Sequence, residues 1–98
     1  MAQVRWSLQV AQDLEEICDY IGRDSPRYAA LFAERVFEVV HLIAQFPLAG
    51  GIVPEYARDD VRERLIYNYR LIYRCRGGDA FQLVTLIHGA RILPPLSE

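Results

Sequence analysis

The most informative stretch of the chain runs from Val61 to Arg76 and reads Val-Arg-Glu-Arg-Leu-Ile-Tyr-Asn-Tyr-Arg-Leu-Ile-Tyr-Arg-Cys-Arg. Successive residues of a β-strand point to opposite faces of the sheet. The odd-numbered set is largely apolar: Val61, Leu65, Tyr67, Tyr69, Leu71, Tyr73 and Cys75. The even-numbered set carries five arginines: Arg62, Arg64, Arg70, Arg74 and Arg76. This pattern predicts a β-hairpin with a buried apolar face and an open face of guanidinium groups, which requires an anionic partner.

The same pattern constrains the turn of the hairpin. Apolar residues are odd-numbered on both sides of Asn68, so odd residues have to pair with odd residues. A two-residue loop would place apolar residues opposite arginines, so we expect a three-residue loop or a bulge around Asn68. Glu63 is the one acid in the apolar set, and we expect it to pair with a neighbouring arginine at the sheet edge.

Length and charge bound the possible functions. The chain has 98 residues, which suits a single domain, residues 1–98, with one core. All eleven basic residues are arginine, and the net charge is −2. Residues 9–38 carry seven acids and three arginines, whereas residues 58–76 carry six arginines and three acids. Two different electrostatic surfaces are therefore expected, rather than the uniform surface of a basic nucleic-acid binder.

The first half of the chain predicts a strand followed by two helices. Residues 4–6 form the strand, and Ser7 is placed to cap a first helix that ends at Gly22. Ser25 and Pro26 then begin a second helix, which runs to about Phe46. The apolar arc of this second helix covers about half its circumference, wider than the ~100° stripe of an ordinary surface helix. It therefore packs against more than one neighbour, and a partner protein is one candidate.

The second half predicts the rest of a small sheet. Residues 50–60 form a loop, the hairpin follows, and Phe81–His88 make a last strand that is apolar on both sides and hence central. The order β-α-α-β-β-β indicates an α+β fold, in which a helical hairpin packs on a small, mainly antiparallel sheet.

Cofactor and metal chemistry find no support in the sequence. Cys18 and Cys75 lie in apolar patterns typical of small buried side chains, and no metal-ligand spacing exists. No signal-peptide core or membrane-spanning run is present, so we expect a cytoplasmic protein.

If the chain is an enzyme, its best candidate catalytic set is His88 with Arg70 and Arg91, since arginine stabilises phosphorane-like charge and histidine moves protons.

In element order and motifs the chain resembles the ParE/RelE superfamily, the toxins of bacterial type II toxin–antitoxin modules, and is closer to the ParE-like branch. The resemblance covers nearly the whole chain. It is carried by Val4-Arg5-Trp6-Ser7, Asp13-Leu14-Glu15-Glu16-Ile17, Tyr20-Ile21, Asp24-Ser25-Pro26, Phe46-Pro47, Gly50, Pro54-Glu55, Val61-Arg62-Glu63, Asn68-Tyr69-Arg70-Leu71-Ile72-Tyr73-Arg74 and His88-Gly89-Ala90-Arg91.

The resemblance implies one of two mechanisms. The RelE-like branch cuts mRNA on the ribosome and typically carries lysines on the strand before the Tyr-Arg motif. Here those positions fall at Val61 and Glu63, and the tail after Arg91 lacks the tyrosine or histidine that this branch often has. The ParE-like branch, whose members are reported to poison DNA gyrase without cutting nucleic acid, matches better. The expected protein is therefore a growth-arresting, non-enzymatic toxin of the kind found in plasmid-stabilisation modules, and the RelE-type endoribonuclease remains the alternative.

The resemblance also implies partners and contact residues. The antitoxin would be ParD-like, a ribbon-helix-helix protein whose disordered C-terminal segment wraps the toxin in a hetero-oligomer. The predicted target contacts are Arg62, Arg64, Arg70, Arg74 and Arg91. The predicted antitoxin contacts are Tyr20, Leu31, Leu42 and Phe46. Two alternatives stay open: arginines that only solubilise the sheet, and a partner-binding scaffold that has no target of its own.

Overall fold

Two helices and five strands make up the fold in a computed structural model that describes residues 2–96. The elements are β1 (Gln3–Trp6), α1 (Leu8–Asp24), α2 (Pro26–Gln45), β2 (Gly51–Ile52), β3 (Val61–Ile66), β4 (Tyr69–Cys75) and β5 (Ala80–His88). The strands form one sheet in the order β1-β5-β4-β3-β2. Only β1 and β5 pair in parallel. The predicted α+β class and the central last strand are confirmed, while the short β2 lies in a segment predicted to be loop.

The helical hairpin begins as predicted, but its first helix is longer than predicted. The Ser7 hydroxyl accepts a hydrogen bond from the Val10 N–H, at 3.0 Å, and so caps α1. The prediction that α1 ends at Gly22 is wrong, because the helix continues for two more residues to Asp24, whereas α2 begins at Pro26 as predicted. Ser25 is both the C-cap of α1 and the N-cap of α2. Packing does not require a glycine at position 22, since a Cβ there would make only an ordinary contact, 3.7 Å from the Cβ of Ala29 on the neighbouring helix.

The β3–β4 hairpin closes with a two-residue loop and an uninterrupted register, so the predicted three-residue loop or bulge around Asn68 is wrong. Ile66 pairs with Tyr69 across the turn, and Tyr67 adopts a left-handed backbone with φ of 52°. Facing residues in an antiparallel pair lie on the same side of the sheet. The pairs Arg64–Leu71, Arg62–Tyr73 and Leu65–Arg70 therefore each join an arginine to an apolar residue. The prediction of one apolar face and one arginine face is wrong.

Strict alternation fails because both faces of the sheet are covered. The helices pack on one face, over a core that consists of Val10, Phe32, Val36, Val39, Val40, Ile43, Ala44, Ile66, Leu71, Tyr73, Phe81, Leu83 and Leu86. A second, smaller cluster joins Val53, Val61, Ile72 and Leu93. These residues bring the segment before β3 and the C-terminal tail onto the opposite face. Strands β3 and β4 therefore bury apolar residues on both sides of the sheet, and their arginines are distributed between the two sides.

Candidate functional site

Arg70 lies at the centre of an ion-pair cluster and is only 7% exposed. Its Nε donates to Glu63 Oε1 at 2.7 Å, and its two terminal nitrogens donate to the Glu55 carboxylate at 2.7 and 2.8 Å. The hydrogen bonds from Arg70 hold the pKa of Glu55 at about 2, and those carboxylates raise the pKa of Arg70. Glu55 also accepts from the Leu93 N–H at 3.2 Å. Arg70 thus anchors the tail and is not presented on an open face. The expected pairing of Glu63 with a neighbouring arginine is confirmed, but its expected place at the sheet edge is wrong, because Gly51 of β2 pairs with it.

Two of the other predicted target contacts also have internal partners. Arg62 pairs with Asp59 at 2.8 Å and donates to the Gly50 carbonyl at 3.1 Å. Arg74 pairs with Asp60 at 3.2 Å. The Asp60 carboxylate also accepts from Arg58, whose hydrogen bond is the main reason that its pKa is lowered. The anionic partner that the sequence required is therefore supplied, for these arginines, by acids of the same chain.

The remaining predicted target contacts, Arg64 and Arg91, are less engaged. Arg64 is half-buried on the helix side of the sheet, and within residues 2–96 its guanidinium forms no hydrogen bond or ion pair. Arg91 is exposed beyond the end of β5. A role in target binding stays a prediction for both residues.

A cleft of about 910 Å³ opens between α1, β5 and the C-terminal tail. His88 and Arg91 form part of one wall, while Glu16 and Tyr20 of α1 lie in another. His88 is fixed by two contacts: its Nδ1 accepts from the Ala90 N–H at 3.1 Å, and its ring meets the edge of Tyr69 with centroids 5.4 Å apart. The cleft therefore brings His88 and Arg91 together, whereas Arg70, the third member of the predicted catalytic set, is held in its ion pairs.

Sequence reasoning missed three residues that build this cleft. Asp13 was classed as part of the acidic half of the chain, but its carboxylate accepts from the Thr85 hydroxyl at 2.6 Å and the Leu86 N–H at 3.0 Å. It therefore fixes α1 to β5. The Tyr56 hydroxyl donates to the Pro94 carbonyl at 2.6 Å and holds the tail; burial raises the pKa of Tyr56. Tyr69 lines the same cleft. None of these contacts has a local sequence signal, because the partners lie far apart in the chain.

The predicted antitoxin contacts fall in two separate places. Tyr20 is 66% exposed and lies in the cleft. Leu31 and Phe46 are exposed on or directly after α2, and Leu42 is half-buried on the same helix, but none of the three lines the cleft. Leu65 and Tyr67, which the alternation pattern assigned to the buried face, are each 67% exposed. They add to the apolar surface that remains without a partner.

Other kinds of site find little support in the part of the chain that the structure describes. Residues 2–96 contain no cluster of histidine, cysteine and acidic side chains that would hold a metal ion. Cys18 and Cys75 are free thiols, and burial raises the pKa of each. No helix among the described residues has the length and apolar character needed to span a bilayer.

Comparison with known proteins agrees with the fold and the motifs. The family model for the ParE toxin of type II toxin–antitoxin system, parDE, matches residues 4–93. Toxin RelE2 of Caulobacter vibrioides is 32% identical over 92 residues, which are 94% of this chain and 100% of that protein. Putative toxin Y4kP of Sinorhizobium fredii is 35% identical over 48 residues, and the match spans 50% of its length.

A solved structure supports the fold independently. The chromosomal ParDE TA system from P. aeruginosa contains a chain that superposes with a TM-score of 0.69 and 22% identity, over 90% of this chain and 96% of that one. The family match covers both the hairpin and the helices, and it extends to Leu93 in the tail that Glu55 anchors. The chain therefore belongs to the ParE family, as the toxin of a type II toxin–antitoxin system.

Proposed function

We propose that this toxin arrests growth by binding DNA gyrase, and that it does not cut RNA itself. The observation that carries the proposal is the state of Arg70. A ribonuclease of the RelE type needs free guanidinium groups around the scissile phosphate. Here the Nε and both terminal nitrogens of Arg70 donate to Glu55 and Glu63. A phosphate would have to displace two carboxylates from a nearly buried arginine.

The positions that carry lysine in the ribonuclease branch support the same proposal. Val61 is fully buried in the smaller apolar cluster, and the Glu63 carboxylate would repel a phosphate. Of the predicted catalytic set, His88 and Arg91 line the cleft and Arg70 does not. Together with the match to the ParE family model, this favours a toxin that acts by binding its target.

The test is to induce the chain in cells that lack its antitoxin and to follow DNA and protein synthesis by pulse labelling. We expect DNA synthesis to stop first, and the purified toxin to inhibit supercoiling by gyrase. Arg91→Gln should weaken the inhibition by about tenfold, because a charged contact is lost. Arg23→Gln, which removes an exposed arginine at the end of α1, is the matched control. Protein synthesis that stops first would contradict the proposal.

Two observations favour the ribonuclease alternative: the shared position of His88 and Arg91 in the cleft, and the 32% identity to the protein named Toxin RelE2. It predicts cleaved mRNA on translating ribosomes, and a loss of that cleavage in His88→Gln. Transcripts that stay intact during growth arrest would dismiss it.

We further propose that a ParD-like antitoxin of the ribbon-helix-helix type neutralises the toxin by wrapping it. Tyr20 in the cleft and Leu31 on α2 are exposed apolar residues at separate places, as a long segment that folds on binding requires. Such a segment would reach the cleft and the α2 surface together. The predicted target and antitoxin surfaces then overlap at the cleft, which explains how one partner blocks the other.

A further inference from the structure

The arginines of this chain fall into two groups by their partners. Those that donate to a carboxylate are Arg35, Arg58, Arg62, Arg70 and Arg74. Arg5 and Arg76 belong to the other group. Within residues 2–96 the Arg5 guanidinium forms no hydrogen bond or ion pair, and Arg76 donates only to the side-chain amide of Gln82. Their charges are therefore not neutralised by any described acid.

The fold brings these two arginines to the same place. Arg5 of β1 pairs with Gln82 of β5 in the parallel register, so their side chains leave the sheet on the same face. That face is opposite the helices, because the neighbours of Gln82, Phe81 and Leu83, point into the helix-side core. Arg76 follows β4 and reaches Gln82 with Nε at 3.2 Å and Nη2 at 2.8 Å from Oε1. Two positive charges thus flank one amide.

A hollow of about 490 Å³ lies between them, lined by Arg5, Arg76, Ala80, Phe81 and Gln82. It is separate from the cleft at the other end of β5, which His88 and Arg91 line. The Gln82 oxygen is occupied by Arg76, so the groups that remain for a ligand are donors: the Gln82 amide nitrogen, the Arg5 guanidinium and the unused nitrogen of Arg76.

The arrangement favours one kind of anion. A carboxylate binds arginine best through two parallel hydrogen bonds to one edge of the guanidinium. Arg5 has such an edge free, but on Arg76 the edge formed by Nε and Nη2 already faces Gln82, so the two arginines cannot both bind a carboxylate through that edge. The free donors instead belong to β1, to β5 and to the turn after β4, and their residues line the same hollow. A tetrahedral phosphate has oxygens in several directions and can meet them together.

We propose that Arg5, Gln82 and Arg76 form a phosphate-binding site on the sheet face opposite the helices. The phosphate group belongs either to a free nucleotide or to the backbone of a nucleic acid. The site does not depend on gyrase as the target, since it lies apart from the cleft and from the predicted target contact Arg91.

The experiment titrates the purified full-length chain with inorganic phosphate and follows backbone amide shifts by NMR. We expect shifts at Arg5 and residues 80–82. Arg5→Gln combined with Arg76→Gln should weaken binding by at least about tenfold, since two charge-assisted contacts are lost. The matched control combines Arg23→Gln with Arg27→Gln. It removes the same charge from two exposed helix arginines outside the hollow, and it should change the affinity by less than about twofold.

Two further measurements identify the source of the phosphate group and show that loss of binding is not caused by misfolding of the variant. Adenosine monophosphate that binds more tightly than a short single-stranded oligonucleotide without terminal phosphate would assign the site to nucleotides; the reverse order would assign it to nucleic acid. Gln82→Glu places a carboxylate between the arginines and should abolish phosphate binding in a chain whose amide spectrum stays folded. The proposal is overturned if phosphate does not bind, if acetate binds equally well, or if the control pair loses as much affinity as the Arg5 and Arg76 pair.

Discussion

At the scale of single residues, Glu55 does more to hold the C-terminal tail than any feature of the tail's own sequence suggests. Its carboxylate receives Arg70 through two hydrogen bonds and the Leu93 N–H through a third. The sequence marks Pro54-Glu55 only as part of a family motif. The alternating pattern predicted an open face for Arg70. Such a pattern shows toward which face of the sheet a side chain points, but not what covers that face.

The depressed pKa of Glu55 predicts how stability depends on pH. The folded-state value of about 2 lies below the ordinary 4.5, so the stabilising contribution is fully present above pH 4.5 and is lost as the pH falls toward 2. Glu55→Gln should therefore lower the urea midpoint near neutral pH, with a difference from wild type that shrinks below pH 4.5. Glu34→Gln, an exposed acid of α2, serves as the control. A difference that is the same at every pH would contradict the role given to Glu55.

Removing Arg70 should cost more than removing any exposed arginine. Arg70→Ala leaves two carboxylates close together without their cation, and we expect a loss of about 2–3 kcal/mol in the free energy of unfolding. The figure is below that of a fully buried pair, because Glu55 and Glu63 keep some contact with water. Arg91→Ala, at an exposed position, should change it by about 0.5 kcal/mol or less. Equal effects in urea unfolding would show that Arg70 is not the anchor.

At the scale of elements, the sequence predicted which segments are helix and which are strand better than it predicted how the strands pair. The serine caps, the start of α2 at Pro26 and the central position of β5 all have local signals, and the structure has each of them. The register between β3 and β4 has no local signal in the sequence. A period of two indicates a buried face only where the other face is solvated, and here the tail and the segment before β3 cover it.

The two glycines before and within β2 give a direct test of packing at the sheet edge. A Cβ on Gly50 would lie 2.8 Å from the Glu63 carbonyl oxygen and would clash with the Tyr73 hydroxyl, whereas one on Gly51 would meet nothing within 4 Å. Gly50→Ala should therefore destabilise the fold by about 1–3 kcal/mol. Gly51→Ala should have an effect within about 0.5 kcal/mol. Thermal unfolding of the two variants side by side measures the difference, and equal melting temperatures would contradict the register.

Gly22 tests the extension of α1. It lies inside the helix, and an added Cβ would make only ordinary contact with Ala29 at 3.7 Å. Alanine is favoured over glycine in a helix interior, so Gly22→Ala should stabilise the protein by about 0.5–1 kcal/mol. A loss of stability would instead support the predicted end of α1 at Gly22. Urea unfolding at fixed pH distinguishes the two.

At the scale of the whole molecule, internal ion pairs leave less free positive charge on the sheet than its composition suggests. Residues 58–76 are strongly basic, yet Asp59, Asp60, Glu55 and Glu63 neutralise much of that charge. The fold class and the family were accessible from the order of the motifs. The cleft was not, because Asp13 meets Thr85, and Tyr56 meets the tail, only through the tertiary structure.

The apolar surface of the free toxin predicts how the antitoxin recognises it. Tyr20→Ser and Leu31→Ser, at two separate exposed positions, should each weaken antitoxin binding by about tenfold or more. Neither change should destabilise the toxin by more than about 0.5 kcal/mol. Ala30→Ser, at an exposed position on α2, is the control. Affinities by calorimetry that match wild type for both variants would exclude these two places from the antitoxin interface.

The anchoring of the tail also bears on how such a toxin diversifies. Glu55 holds the tail through the Leu93 N–H and Tyr56 holds it through the Pro94 carbonyl, so two of its attachments are to the peptide backbone. Attachments of this kind tolerate changes at the exposed neighbours Arg91, Ile92 and Pro95. Mutation can therefore alter the side chains that line this part of the cleft while the path of the tail stays the same, so that the surface of such a toxin can change without loss of its fold.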